Sequence, residues 1–350
     1  MAVTVKITDK DKRQAASGPP PDLSDYVVQG EKGEGTKAFV IWFLLIIVAS
    51  VGLSLNPNTM GFGIGIFVWW LVSCIIYFFI APRMVLRRLR MHGSEYEVTS
   101  RNHPRLRNLL SKASGMLGLD TPEAFVVDET IPQIRILGSN KSPFLIITKG
   151  AMDLLQNSEL DTLVLRCLVQ ARQGHVRRLS LLQFVNDTAA PLRILVWPAM
   201  FYAWLLRGTN WQEFAAETAD RLTLLLMKNY KVLLSALLKL HAATDPLMQE
   251  TKISSQDVDN YIKQSGFIGL EGQEISTQYR LGSAIHENPY LEERIKALNS
   301  FADSDEFDSA LTKLAAARIG KAATIDTTTD DATPAAAKPT ATSQPATVKK

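Results

Sequence analysis

Cysteine is nearly missing: only Cys74 and Cys167 occur in 350 residues. Two isolated cysteines give neither a disulfide framework nor a CxxC metal knuckle. Histidine is almost as scarce. His92, His103, His175, His241 and His286 show no HxH or HxxxH spacing, which argues against a self-contained metal site. An excess of one charge is also lacking. The net charge is only +3, so the total makes no case for nucleic acid as a partner. No signal-peptide layout is present, because the first apolar run starts far from Met1 and lacks a cleavage pattern. Charge disappears entirely from two long stretches, and those absences say the most.

The first charge-free run covers residues 38–55 and the second covers 60–81. Each approaches the ~20 residues needed to cross a hydrocarbon core. Asn56-Pro57-Asn58 is a tight polar turn between them, so residues 37–82 predict a transmembrane helical hairpin. The competing reading is a buried helical hairpin of a soluble protein, which two adjacent runs of this length disfavour. Arg83, Arg87, Arg88 and Arg90 crowd the end of the second run, and Lys32 and Lys37 precede the first. The positive-inside rule then puts both termini and the main domain in the cytoplasm. These arginines also suit anionic lipid headgroups. Their place beside a span explains them better than nucleic acid would. Gly61 and Gly65 form a small-xxx-small pair, a weak signal in a membrane helix.

The whole chain is 46% hydrophobic, with a mean hydropathy near zero, as a globular domain joined to membrane segments would be. Residues 1–36 are polar and broken by Pro19-Pro20-Pro21, which predicts a disordered tail. Residues 320–350 are an Ala/Thr/Pro/Lys tail that has no core to bury. Between them, residues 92–301 alternate like an α+β domain. His103-Pro104 opens a helix that Gly118 closes, and residues 123–128, 133–138 and 144–148 predict short strands. A helix starts near Gly150, a long one covers about 159–185, and another covers about 217–243.

Residues 159–178 read ELDTLVLRCLVQARQGHVRR. This segment resembles the helix carrying HExxH in HtpX-like membrane zinc metallopeptidases, peptidase family M forty-eight. Glu159 and Leu160 match the start of the family pattern, and Gly174, His175 and Val176 match its end. Ala219-Asp220-Arg221 looks like the family's ExxADR segment. Asn288-Pro289 with Glu293, Arg294, Ile295 and Leu298 looks like its closing element, and His103-Pro104 like its domain entry. The resemblance spans about 103–298. It implies a gluzincin-type domain, mainly helical with a small sheet, preceded by the hairpin.

The catalytic positions depart from that pattern. In HExxH the two histidines at i and i+4 share one helix face and grip one zinc ion. Arg166 and Gln170 stand there instead. A guanidinium stays protonated and has no lone pair for a metal, and a neutral amide oxygen is a poor zinc donor. Cys167 takes the place of the glutamate base and, at i+1, points off the shared face. The third-ligand position falls on Ala216, with Glu217 turned about 100° away. The resemblance therefore implies no catalytic residue, no metal ligand and no cofactor. Arg166 is expected to pair with a carboxylate such as Asp220 or Glu217. His175 is expected on a helix surface in a basic patch with Arg172, Arg177 and Arg178, and Cys167 as a small packing residue.

Residues 189–206 are apolar but carry Pro191, Arg193 and Pro198. Trp197, Phe201 and Trp204, with Trp211 beyond, fall on one helical face. A single full crossing would separate helices that the resembled fold packs together. The stretch is therefore expected to rest on the membrane interface, the alternative being ordinary core. The resulting functional expectation is a membrane-anchored, non-catalytic scaffold, adaptor or subunit of a membrane complex. Its partners would be the lipid bilayer and other membrane proteins. Relatives with activity bind substrate as an added strand, so Gln133, Ile134, Arg135 and Ile136 form a candidate peptide-binding edge. The alternative is an active zinc endopeptidase in membrane-protein quality control, which would need zinc held by other ligands.

Overall fold

The computed structural model describes residues 23–91, 96–187, 193, 196–244 and 291–318. Most of both expected tails, His92, His286, Pro191 and the Asn288-Pro289 pair lie outside the described residues. The described chain is mostly helical, with one small mixed sheet.

Helix α1 runs Glu31–Ser54 and α2 runs Met60–Ile75, packed as a hairpin. By length and composition α1 is long and apolar enough to cross a membrane, whereas α2 is a shorter apolar helix. The second apolar run is thus not one continuous α-helix. A π-helical segment, Ile76–Ile80, joins α2 to α3 at Ala81–Met91. The buried positions of α1, Glu31, Gly35, Ala38, Trp42, Ile46 and Ser50, recur every three or four residues and define its inner stripe. The remaining faces leave Phe39, Leu44, Val48, Phe62, Val68 and Leu71 exposed. Gly63 sits where α1 and α2 cross. A Cβ there would lie 2.4 Å from the Ser50 carbonyl oxygen, so only glycine permits the approach.

The helix begins at Glu31, inside the segment expected to be a disordered tail through residue 36. A 3-10 turn at Leu23–Tyr26 precedes it, and Tyr26 is buried in the main core. The anchors that order this segment are distant in sequence, and local composition carries no trace of them.

The sheet order is β1 (Glu123–Val127), β3 (Pro143–Thr148), β2 (Ile134–Gly138). β1 is parallel to β3, and β2 is antiparallel to it at the edge. Helix α4, Pro104–Leu117, packs on the central helix that follows, and short α5, Lys149–Leu154, leads off from β3. Helix α6, Asn157–Arg172, runs through the centre against α4, β2 and the later helices at Trp211–Met227 and Tyr230–Thr244. The long helix expected over 159–185 breaks at Gln173–His175, where Gly174 adopts φ 77°, and α7 follows at Val176–Asp187. Helix α8 is Trp197–Gly208. The single helix expected over 217–243 is two, α9 at Trp211–Met227 and α10 at Tyr230–Thr244. Lys228, with φ 58°, makes the turn between them, and a lysine gives no sequence warning of that conformation. Helices α11, Leu291–Ala302, and α12, Asp305–Arg318, complete the main core.

Candidate functional site

Helix α6 is buried almost all round: Leu160, Leu163, Val164, Leu165, Leu168 and Val169 are each at most 5% exposed. A helix apolar on every side belongs at the centre of a domain. Its start is fixed by Glu159. That carboxylate accepts the Gln156 backbone N–H at 2.8 Å, the Ser235 hydroxyl, and the Lys239 ammonium at 2.7 and 2.9 Å. The glutamate thus ties the first turn of α6 to α10 and complements the helix dipole.

Asp220, on α9, gathers the other charged residues. It is 1% exposed. Arg166 donates from Nε to its Oδ1 at 2.6 Å. Arg294, on α11, donates from Nε to Oδ2 at 2.8 Å and from Nη2 to Oδ1 at 3.0 Å. Three helices are cross-linked through one carboxylate. Glu217, the other partner considered for Arg166, instead accepts from Arg221 one turn along its own helix. Burial lowers the Arg294 pKa from its ordinary value, and Arg166 adds to the effect while Asp220 offsets it. Burial acts the same way on Arg166, but the charge and hydrogen bond of Asp220 outweigh it and leave that pKa raised. Both guanidiniums remain cationic at any physiological pH.

Cys167 turns away from this cluster toward the sheet, with Sγ 3.9 Å from the Ile134 carbonyl oxygen. Burial pushes its thiol up to about 11, with Arg166 pulling weakly the other way. It is a thiol, not a nucleophilic thiolate, at neutral pH. Gln170 and Ala216 are buried, at 8% and 5% exposure. This donor set does not fit a zinc ion: a fixed cation, a neutral amide and a methyl group stand at the positions the resemblance marks as ligands. Among the described residues, no group of three His, Cys, Asp or Glu side chains gathers as a metal site would require.

His175 corrects the surface expectation. It is 2% exposed, in the break between α6 and α7, and its Nε2 lies 2.6 Å from Glu31 Oε1. The other Glu31 oxygen accepts from Thr218 Oγ1 at 2.6 Å, and Thr218 in turn accepts the Val28 N–H at 3.1 Å. The Trp211 ring stands edge-on to the imidazole at 5.8 Å. The start of the apolar hairpin is thereby bolted to α9, the helix that carries Ala216 and Asp220. Sequence reasoning missed Glu31 altogether. A lone acid just before an apolar run was its one visible signal.

At the sheet edge, β2 pairs Arg135 with Ile146 and Leu137 with Phe144. Ladder alternation then turns the backbone groups of Ile134, Ile136 and Gly138 outward. The Gly138 N–H donates to Ser180 Oγ at 2.8 Å, and that hydroxyl donates to the Gly138 carbonyl at 3.2 Å. With Cys167 at Ile134, helices α6 and α7 already meet two of these three residues. On α3, Arg83, Arg87 and Arg90 are exposed, and Arg90 forms an ion pair with Glu123. The Arg88 side chain is outside the described set. Trp197 and Trp204 are exposed, at 51% and 62%, with Phe201 stacked between them at 5.6 and 5.8 Å.

A mainly helical domain with a small mixed sheet, led by an apolar helix, defines the class at the level the structure supports. Comparison with known proteins adds a distant relationship. Over 173 residues the chain is 27% identical to the protease HtpX homolog of Tropheryma whipplei, in both strain Twist and strain TW08/27. The match covers 45% of this chain and 56% of each relative, so the chain spans about half the length of the curated proteins it matches. No protein-family profile matches, and no solved structure does.

Proposed function

We propose that the chain is a membrane-anchored, metallopeptidase-like protein that performs no hydrolysis and serves as a scaffold, adaptor or subunit within a membrane complex. One observation carries this reading: the ion-pair cluster of Arg166, Asp220 and Arg294. It occupies the place where an HtpX-type enzyme would hold its metal, and it joins α6, α9 and α11 without one. The distant similarity to a protease HtpX homolog, over 173 residues, supports the domain type; residues 92–301 are its proposed extent. The apolar helix α1 supports membrane association.

In this reading the α1–α2 hairpin spans the bilayer and the domain faces the cytoplasm. The arginine cluster within 83–90 serves anionic headgroups there, while Trp197, Phe201 and Trp204 contact lipid. A peptide lying along Gln133, Ile134, Arg135 and Ile136 would find Ile136 as its outward-facing backbone anchor, a short edge suited to weak binding.

Metal analysis of the full chain, purified in mild detergent, tests the proposal. Substoichiometric zinc and no cleavage of an unfolded substrate are expected. One zinc per chain with chelator-sensitive cleavage would instead establish an active endopeptidase with other ligands. Affinity purification in the same detergent should recover membrane proteins in fixed ratio to the chain.

A further inference from the structure

We infer that α8 enters the membrane tip first, along the hairpin, and ends within one leaflet, so that its tryptophans sit at two different depths. The inference rests on the reading of α1 and α2 as membrane-spanning. It replaces an element lying flat on the surface with one standing nearly upright in half a bilayer.

The direction of α8 follows from its contacts with α1. The Pro198 carbonyl accepts from Trp42 Nε1 at 2.8 Å, and Tyr202 meets Phe39 at 6.1 Å between ring centroids. Further along the chain, the Phe214 ring lies beside Gly30. As the chain proceeds from 198 to 214 it descends α1 from 42 to 30, so the two run antiparallel. On the other side, the Ala199 N–H donates to Ser73 Oγ of α2 at 3.2 Å, and Trp69 stacks on Trp197 at 6.2 Å. Ala199, Tyr202, Ala203 and Leu206 are buried against the hairpin, and Trp197 and Trp204 face outward.

The depth follows from the same contacts. Trp42 lies four residues past Ala38, where the first charge-free run begins, a rise of about 6 Å. Ser73 lies eight residues before Ala81, where the second run ends, a rise of about 12 Å. Through Trp42 and Ser73 the tip of α8 sits roughly 6–12 Å inside the apolar zone, and through Trp69, twelve residues before Ala81, the Trp197 ring reaches the level of the hydrocarbon half-thickness of about 15 Å. Trp204, seven residues on, lies about 10 Å closer to the headgroups. The exposed Arg193, four residues before Trp197, disfavours a deeper position, since a charge is costly at the bilayer centre. The outward aromatic face continues the exposed apolar face of the hairpin, which makes lipid its occupant.

Depth-resolved quenching of the full chain in phosphatidylcholine–phosphatidylglycerol vesicles tests this. Lipids brominated at mid-chain and lipids spin-labelled at the headgroup serve as quenchers. The emission lost in Trp197→Phe and in Trp204→Phe isolates each site, and matching melting curves confirm that both variants fold. The Trp197 component should be quenched at least two-fold more by mid-chain bromine than by the headgroup label, and the Trp204 component in the reverse order. Equal profiles for both would mean a flat-lying helix and overturn the inference. Quenching of the remaining tryptophans but of neither Trp197 nor Trp204 would also overturn it, leaving the spanning hairpin intact. Absence of quenching at every tryptophan would remove the membrane reading as well.

Discussion

Asp220 joins three helices through one buried carboxylate. Two buried guanidiniums share its carboxylate, so removing it strands two cations, whereas removing one arginine leaves a neutral pair. Stranding buried charge costs about 3–5 kcal/mol, and a lost hydrogen bond to a charged group about 1.5–3. Asp220→Ala is therefore expected to lower unfolding stability in detergent by about 3–5 kcal/mol, and Arg166→Ala by about 1.5–3. In a double-mutant cycle the two should couple by more than about 0.5 kcal/mol, and additive losses would show that the contact is not a cross-link. Cys167 provides a pH signature of the same helix. Its thiol rises from an ordinary 9.0 to about 11 on folding, so the unfolded chain releases its proton first as pH increases. The associated stability is intact below pH 9 and is lost between pH 9 and 11, by roughly 2–3 kcal/mol. Denaturation curves across that interval should be flatter for Cys167→Ala than for the natural chain. Identical slopes would contradict the burial argument.

Helix crossings decide which glycines matter. A Cβ on Gly63 would meet the Ser54 hydroxyl and the Ser50 carbonyl, whereas one on Gly61 or Gly65 would meet nothing within 4 Å. The sequence pattern singles out Gly61 and Gly65 as the small pair, but the packing inside the hairpin selects the residue between them. Gly63→Leu is expected to cost about 1–3 kcal/mol by forcing α1 and α2 apart, with Gly61→Leu and Gly65→Leu within about 0.5. Thermal melts of the three variants in one detergent test that ranking. Elements with strong local signals were legible from the sequence. Short apolar runs bounded by turns located β1, β2 and β3 within a residue or two, and His103-Pro104 located the start of α4. The helix breaks were not legible. Gly174 and Lys228 turn the chain through left-handed backbone inside runs whose periodicity continues unbroken. At the candidate site, carboxylate partners for Arg166 could be narrowed to two acids on α9, but the packing of helices 54 residues apart chose between them. Arg294 as the second donor was out of reach, because it comes from a third helix.

The hairpin and the helical domain that follows it are not separable units, although the composition change near residue 82 suggests a boundary there. One buried cluster contains Ala38, Trp42 and Ile46 from α1, Leu181, Phe184 and Val185 from α7, Ala199, Tyr202 and Leu206 from α8, and Trp211 and Ala215 from α9. The Glu31 contacts with His175 and Thr218 fasten the same junction in polar fashion. A membrane anchor on a flexible tether would share no core with its cargo. Here α1 shares its buried face with α7, α8 and α9, and α9 also carries Asp220. A chain that begins at residue 92 would expose Leu181, Phe184, Tyr202, Leu206 and Trp211 together, a contiguous apolar patch where the hairpin had been. It is expected to aggregate or to melt without a cooperative transition, and the full chain in detergent to melt as one unit. Full-length Glu31→Ala separates the polar contribution from the apolar one. Loss of the acceptor for His175 and Thr218 should cost about 1–3 kcal/mol and speed amide exchange in the first turns of α1 and α9 together. Faster exchange in α1 alone would mean that the anchor moves independently of the domain.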